Sequence, residues 1–255
     1  MRFIDTHSHL YDEAFAGEES AAVERAVAAG VDRIIIPDID SQTREHMFSF
    51  AEQHPGTLFT CLGLHPTSIG ADWEAELEKL QDYSSRNIVA IGEIGIDCYW
   101  SKEFLEQQKE AFRRQLRMAH DRSLPVIIHS RDASPIIIDI LKECRKLDLR
   151  GVFHAFSGSI ETYREIERLG DWQIGIGGVL TFKKASIAET VKSIPLEKIV
   201  LETDSPYLTP APHRGQRNES AYIPHIAAKL AELTGKDLEE IASQTTQNAE
   251  TLFGI

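Results

Sequence analysis

The run Arg2-Phe-Ile-Asp-Thr-His-Ser-His9 joins a short apolar segment to two histidines. Its first residues are typical of a buried strand, and His7 and His9 follow them directly. Side chains two positions apart in an extended chain point to the same side, so both imidazoles are predicted to face one site. The pair alone is weak evidence for a metal site, because the chain has 10 histidines.

The same arrangement recurs along the chain. Short apolar runs that read as parallel strands lie near positions 2–6, 32–37, 57–64, 88–92, 125–129, 150–154, 172–177 and 198–203. Helical patterns separate several of them and finish the chain, as at 18–29, 103–122, 222–234 and 236–252. Strands that alternate with helices in this way predict an α/β fold, a (β/α)8 TIM barrel with extra C-terminal helices. The run at 172–177 is the least regular, since glycine weakens a strand.

Length and charge limit the class of protein. A chain of 255 residues with 42% hydrophobic content can build one large core, and barrels of this length are commonly one domain, so residues 1–255 are predicted as a single domain. The formal net charge of -13 argues against a protein that coats nucleic acid or a membrane surface. It permits an enzyme that binds a few phosphates locally.

The compartment is predicted from the cysteines and the start of the chain. Cys61, Cys98 and Cys144 are far apart and form no Cys-x-x-Cys motif, which indicates reduced thiols in a cytoplasm. The first predicted strand already carries candidate ligands, which leaves no room for a signal peptide. No run is long enough to cross a membrane. We expect a cytoplasmic protein with no obligate protein partner.

Six candidate metal ligands fall at or just after the ends of predicted strands. In a closed barrel these ends converge on one face, where loops build the active site. Each residue alone has a structural explanation, such as a core histidine, a loop carboxylate or a turn aspartate. Together they predict a metal centre for two ions, which points to hydrolysis. The six residues are His7, His9, Glu93, His129, His154 and Asp204.

Longer motifs run in order from the first strand to the last helices. They are Arg2–His9, Gly63-Leu-His-Pro66, Gly92-Glu-Ile-Gly-Ile-Asp97, His129-Ser-Arg131, His154-Ala-Phe-Ser-Gly158, Leu201-Glu-Thr-Asp-Ser-Pro-Tyr-Leu208 and Arg214-Gly-x-x-Asn218-Glu. With these motifs the sequence resembles the TatD family of metal-dependent deoxyribonucleases. The resemblance implies a TIM barrel of the amidohydrolase type and hydrolysis of DNA phosphodiester bonds. The family's Asn-Glu-Pro is Asn218-Glu-Ser220 here, which leaves the path of this loop open.

The resemblance also implies how the ligands are shared. One ion would be bound by His7, His9 and Asp204, the other by His129 and His154, and Glu93 would bridge both. Asp204 would orient or deprotonate a water as general base. Four imidazoles favour Zn, Mn, Co or Ni over a pure Mg site, but the family is often described as Mg-dependent. The candidate cofactor is therefore two divalent ions per chain, Zn, Mn or Mg.

Further residues are candidates near the same face. His65 is either a loop histidine beside a proline or a second catalytic residue that contacts phosphate or the leaving group. Arg131 is a candidate phosphate clamp, since a guanidinium matches phosphate with two hydrogen bonds. Glu202 is a candidate to hold a ligand imidazole from behind.

Other candidates concern the substrate. The loop at 209–220 is rich in Pro and Gly, and its Arg214 and Asn218 either bind the DNA backbone or are simply solvated. Tyr207, like Tyr99 and Trp100, is predicted either to stack on a base or to pack at the rim.

Three functions remain open from the sequence. The leading hypothesis is an exonuclease-like enzyme that cleaves DNA from an end, with single-stranded ends as substrate. An alternative is hydrolysis of an amide or ester bond, such as D-aminoacyl-tRNA deacylation. Another is a non-catalytic metal-binding scaffold. The presence of the full set of candidate ligands argues against it. Barrel hydrolases with a bridging carboxylated lysine would carry Lys at the position of Glu93, which argues against that type.

Overall fold

The computed structural model describes residues 1–255, and its eight strands form one parallel sheet in sequential order. The strands are β1 Phe3–Asp5, β2 Val31–Ile36, β3 Leu58–Leu62, β4 Ala90–Asp97, β5 Val126–Arg131, β6 Gly151–Phe153, β7 Trp172–Ile176 and β8 Ile199–Leu201. The helices are α1 Glu19–Ala28, α2 Arg44–Glu52, α3 Trp73–Glu78, α4 Leu105–Asp121, α5 Ser134–Glu143, α6 Ile160–Glu167, α7 Ile187–Thr190, α8 Ile223–Thr234 and α9 Leu238–Phe253.

The first and last strands meet and complete a TIM barrel, which confirms the predicted fold. The backbone N–H of Thr6 donates to the carbonyl of Leu201 at 3.0 Å, and Ser8 and Ser205 form a parallel bridge just beyond the strands. Strand ends differ from the predictions by a few residues in most places. The exception is β4, predicted to end near 92, which continues to Asp97 because it keeps pairing with β5 as far as Arg131.

The barrel interior is closed at one end by the last helix. Inward-facing apolar residues from seven strands form one cluster with Ala249, Leu252 and Phe253 of α9. These strand residues are Ile4, Ile35, Cys61, Ala90, Ile127, Val152 and Val200. Burying a Leu or Phe side chain fully contributes about 1.5–3 kcal/mol, so this plug stabilises the closed barrel. A separate cluster of 50 buried residues lies mostly between the strands and the surrounding helices.

Two glycines let polar groups approach the strands that carry the candidate site. A Cβ at Gly175 in β7 would lie 2.2 Å from Oε2 of Glu202. A Cβ at Gly95 in β4, where φ is +149°, would lie 2.0 Å from the carbonyl oxygen of His129. The glycine that weakens the β7 pattern in the sequence is therefore required to accommodate a buried carboxylate.

No helix of the structure is both long enough and apolar enough to cross a membrane.

Candidate metal centre

His7, His9 and Asp204 form one group of possible ligands at the carboxyl ends of β1 and β8. The Nε2 atoms of His7 and His9 lie 3.1 Å apart. Oδ1 of Asp204 lies 3.8 Å from Nε2 of His7 and 3.7 Å from Nε2 of His9. Asp204 has a φ of +55°, a backbone conformation that few non-glycine residues adopt and that often marks functional positions.

The carboxylate of Glu93 lies between this group and a second one. Its Oε2 atom is 3.1 Å from Nε2 of His7, and its Oε1 atom is 2.7 Å from Nδ1 of His129. His65 joins the second group, since its Nε2 lies 3.4 Å from Oε1 of Glu93 and 3.3 Å from Nδ1 of His129. His65, Glu93 and His129 can together hold an ion.

His154 lies across the cluster from these residues. Its ring stacks on the ring of His7 with centroids 3.5 Å apart, and its Nε2 lies 3.7 Å from Oδ1 of Asp204 and 3.8 Å from Oε1 of Glu93. Its other nitrogen, Nδ1, is 3.1 Å from Oε1 of the buried Glu202. The structure thus brings all six predicted ligands together, and the carboxylate of Glu202 lies beside the second ring nitrogen of His154.

Two groups that orient ligand imidazoles were not predicted. The Tyr11 hydroxyl donates to the carbonyl of Pro37 at 2.5 Å, so its oxygen is free to accept from Nδ1 of His9 at 3.1 Å. This arrangement leaves the lone pair of His9 on Nε2, facing the cluster. Asp97 orients the ring of His129 in the same way. Its Oδ2 lies 2.9 Å from Nε2 of His129, which leaves Nδ1 of that ring facing the cluster.

The sequence held a signal for only one of these two residues. Asp97 stands four positions after Glu93 in the same strand, and this even spacing predicts the same side of the strand. Nothing in the sequence around Tyr11 indicates that its hydroxyl contacts His9.

Burial keeps two of the imidazoles neutral. It lowers the pKa of His9 to about 4. Burial, helped by the charge of His154, also lowers the pKa of His7 well below its ordinary value. A neutral imidazole has the free lone pair that metal coordination needs.

Carboxylates dominate the electrostatics of the other ligands. Burial lowers the pKa of His154, but Glu202, Glu93 and Asp204 outweigh it and raise the pKa to about 10. Burial is likewise outweighed at His129, where hydrogen bonds to Asp97 and Glu93 raise the pKa to about 9. Such carboxylate–imidazole contacts make an imidazole a more basic metal ligand.

The pKa values of the two carboxylates in the cluster shift in opposite directions. Burial raises the pKa of Asp204 to about 7. Burial would also raise the pKa of Glu93, but the positive charge of His154 and the hydrogen bond from His129 oppose it, and that pKa lies well below its ordinary value. Glu93 is therefore ionised at neutral pH and attracts cations.

The donor set fits a divalent metal ion. Zn–N bonds of 2.0–2.1 Å in tetrahedral geometry place two nitrogens roughly 3.3 Å apart, close to the 3.1 Å between Nε2 of His7 and Nε2 of His9. A mixed set of imidazoles and carboxylates favours Zn or Mn, whereas Mg prefers a site with oxygen ligands only.

The predicted substrate residues are exposed at the carboxyl ends of β5 and β8, the end of the barrel that carries the cluster, with one exception. Arg131 is exposed, and its guanidinium lies 3.9 Å from the centre of the Tyr99 ring. Arg214 stacks on Phe182 at 3.7 Å, and Tyr207 is half exposed, with its hydroxyl 3.4 Å from Asp12.

The exception is Asn218, which was predicted to bind the DNA backbone. It is 0% exposed, and its amide donates to the carbonyls of Thr203 at 2.8 Å and Tyr207 at 2.6 Å. Its side-chain oxygen accepts from the backbone N–H of Glu219. In this conformation Asn218 fixes the loop after β8 and has no atom to offer to a substrate.

A parallel barrel with four imidazoles and several carboxylates at the carboxyl ends of its strands defines the class of barrel metal-dependent hydrolases. Comparisons with known proteins narrow this class. Residues 4–254 match the family model for TatD related DNase. The chain therefore belongs to the TatD family of metal-dependent hydrolases, as the sequence motifs predicted.

Related proteins from several bacteria match this chain over nearly their whole length. The chain is 39% identical to the uncharacterized metal-dependent hydrolase YabD of Bacillus subtilis, covering 99% of both chains. It is 34% identical to the 3'-5' ssDNA/RNA exonuclease TatD of Erwinia amylovora, covering 99% of this chain and 100% of that one. The crystal structure of YjjV, a TatD homologue from Escherichia coli, superposes with a TM-score of 0.90 at 32% identity and covers 100% of this chain and 98% of that one.

Proposed function

We propose that this protein is a nuclease that uses two divalent ions to hydrolyse DNA phosphodiester bonds, starting from a single-stranded end. The observation that carries the proposal is the position of Glu93, whose two oxygens face His7 and His129 at 3.1 and 2.7 Å. A carboxylate can bridge two cations, whereas an imidazole cannot. The name of the Erwinia amylovora relative, an exonuclease on ssDNA and RNA, supports a nucleic-acid substrate.

In this proposal the six predicted ligands keep their roles. His7, His9 and Asp204 would hold one ion, His129 and His154 would hold the other, and Glu93 would contact both. Four imidazoles favour Zn or Mn, and Mg is the third candidate. The hydrogen bonds of Tyr11 to His9 and of Asp97 to His129 support this assignment, since each orients one ligand ring toward the cluster. The carboxylate of Glu202 lies 3.1 Å from Nδ1 of His154.

When bound, divalent ions would lower the pKa of a water and neutralise phosphate oxygens. Asp204 then accepts the proton of the attacking water, because its carboxylate lies centrally among His7, His9 and His154. Burial and the nearby carboxylates of Glu93 and Glu202 raise the pKa of Asp204, so the positive charge of a bound ion would keep it in the ionised form that a base requires. His65, at the edge of the cluster, is placed to contact a phosphate oxygen or the leaving group.

Charge distribution favours action at an end rather than along a duplex. The net charge of -13 leaves little basic surface to follow a long nucleic acid. Arg131 is the last residue of β5 and Arg214 lies in the loop after β8, and neither forms an ion pair with a carboxylate within 4.0 Å. We propose that these two guanidiniums contact the phosphates on either side of the bond that is cleaved.

A comparison of linear and circular DNA tests the end-acting model. Metal-loaded protein is incubated with end-labelled single-stranded DNA, with a closed single-stranded circle of the same sequence and with a D-aminoacyl-tRNA. We expect stepwise shortening of the linear strand and survival of the circle. Rapid cutting of the circle would refute the end-acting model, and deacylation of the tRNA without DNA cleavage would refute the nuclease.

A further inference from the structure

We infer that Tyr99, Trp100 and Arg131 form a subsite where one nucleobase of a single-stranded substrate stacks while Arg131 holds the adjoining phosphate. The inference deepens the proposed nuclease function and rests on it. It assigns a role to the segment after β4, which supplies no metal ligand in the proposed assignment. Tyr99, Trp100 and Arg131 are called the aromatic subsite below.

Exposure singles out this segment. The chain has 11 Phe, 3 Trp and 6 Tyr, yet the large aromatic side chains that are prominently exposed are Trp100 at 69% and Tyr99 and Tyr207 at 55%. All three lie in loops at the carboxyl ends of strands, on the face that holds the metal centre. An exposed aromatic side chain leaves apolar surface in contact with water, which is unfavourable. The concentration of such side chains at this face therefore indicates a binding surface.

The geometry of the three side chains suits a nucleotide. The Arg131 guanidinium lies 3.9 Å from the Tyr99 ring centre and 5.3 Å from that of Trp100. The two rings meet edge to face, with centroids 5.1 Å apart and an angle of 84°. Both rings are exposed and offer apolar surface to a base, while the guanidinium lies against the rings and forms no ion pair with a carboxylate within 4.0 Å.

A single carboxylate connects the aromatic subsite to the metal centre. Oδ1 of Asp97 accepts the backbone N–H groups of Tyr99 at 2.9 Å and Trp100 at 3.1 Å. Oδ2 of the same residue lies 2.9 Å from Nε2 of His129. Asp97 is buried, so it holds the backbone of Tyr99 and Trp100 next to His129, one of the predicted metal ligands. A base on the rings would place its phosphate close to the metal centre.

The third exposed aromatic has a different environment. Tyr207 lies on the β8 side, and its hydroxyl is 3.4 Å from Asp12, with Glu13 next in sequence. These acids repel phosphate, whereas the side with Arg131 attracts it. The phosphate-bearing part of the strand is therefore assigned to the aromatic subsite rather than to Tyr207.

The test compares a single-stranded oligonucleotide with an abasic strand of the same length and phosphate number. Stacking on an aromatic residue is worth roughly tenfold to a hundredfold in affinity per base. We expect the wild-type protein to show a KM at least about tenfold lower for the strand with bases. Trp100→Ala and Tyr99→Ala should each reduce that preference, because they raise KM for the strand with bases.

Companion variants separate stacking from charge. Trp100→Phe keeps an aromatic face and should restore most of the preference. Arg131→Ala should raise KM for both strands, because it removes a phosphate contact. Arg86→Ala is the matched control, since Arg86 also stacks on a ring, that of Phe48 at 5.4 Å, but precedes β4 at the other end of the barrel. It should behave like wild type.

Two results would overturn the inference in different ways. If wild-type protein cleaves DNA but Trp100→Ala and Tyr99→Ala retain the full preference for bases, the aromatic subsite is wrong and the nuclease function stands. If metal-loaded wild-type protein cleaves neither strand, both fail. Quenching of Trp100 fluorescence by the oligonucleotide, absent in Trp100→Ala, provides a second readout that does not depend on turnover.

Discussion

Oε1 of Glu93 lies 2.7 Å from Nδ1 of His129, at the point where β4 and β5 run side by side. The other oxygen of the same carboxylate faces His7 on β1. Glu93 is almost fully buried and joins the two halves of the ligand cluster. A side chain in this position affects both halves at once, which gives a clear prediction for its replacement.

Glu93→Gln should weaken binding of both ions together, because a neutral amide cannot balance two cations. Elemental analysis after dialysis, with calorimetric titration of the metal, measures the stoichiometry. Glu106→Gln on the exposed surface of α4 is the matched control and should keep two ions. Loss of a single ion in Glu93→Gln would show that Glu93 is a terminal ligand.

Asp204→Asn should lower turnover by roughly two to four powers of ten, the usual scale for loss of a general base. The substitution preserves size but removes charge and basicity. Metal bound through His129, His154 and Glu93 should largely remain, as elemental analysis would show. Asp139→Asn, on the exposed face of α5, is the control. Near-normal turnover in Asp204→Asn would reject Asp204 as the base.

Glu202→Gln should reduce metal affinity roughly 10- to 100-fold, the typical effect of losing a group that orients a ligand histidine. The carboxylate lies 3.1 Å from Nδ1 of His154 and accepts the backbone N–H of Ala155 at 2.5 Å. Glu197→Gln is the matched control, since Glu197 is exposed and precedes β8 whereas Glu202 follows it. Metal titration of both variants measures the effect. Equal affinities in the two variants would mean that His154 needs no such support.

Arg44→Ala should destabilise the fold by about 3–5 kcal/mol, because it leaves the buried carboxylate of Asp38 without its partner. Nε of Arg44 lies 2.6 Å from Oδ2 of Asp38, and both side chains are inaccessible to solvent. Arg2→Ala removes an exposed pair with Asp32 and should cost at most about 1 kcal/mol. Urea unfolding measures the free energy of unfolding of both variants. An equal loss of stability in the two would contradict this account.

The main features of the barrel and the cluster could be predicted from the sequence for physical reasons. Apolar runs that end in polar residues identify parallel strands, and barrel closure then brings His7, His129 and Asp204 to one face. The carboxyl end of β4 was predicted too early, because Gly95 and Asp97 do not look like strand residues. Their place in the strand depends on the close approach of β5.

The loop after β8 shows what the sequence could not indicate. Asn218 and Arg214 stand in the same Pro- and Gly-rich stretch, and composition does not tell which polar side chain turns inward. The structure buries Asn218 against backbone carbonyls and leaves Arg214 exposed. Contacts such as that of Tyr11 with His9 likewise depend on how distant segments pack.

Metal removal and restoration tests the central claim most directly. Chelator-treated protein, verified as metal-free by elemental analysis, is assayed on end-labelled single-stranded DNA before and after addition of Zn, Mn or Mg. We expect no cleavage without metal, restored cleavage with at least one ion, and a higher melting temperature with that ion, since ligands of the folded state stabilise it. Full activity in verified metal-free protein, or no cleavage of DNA with any of the three ions, would contradict the proposed function.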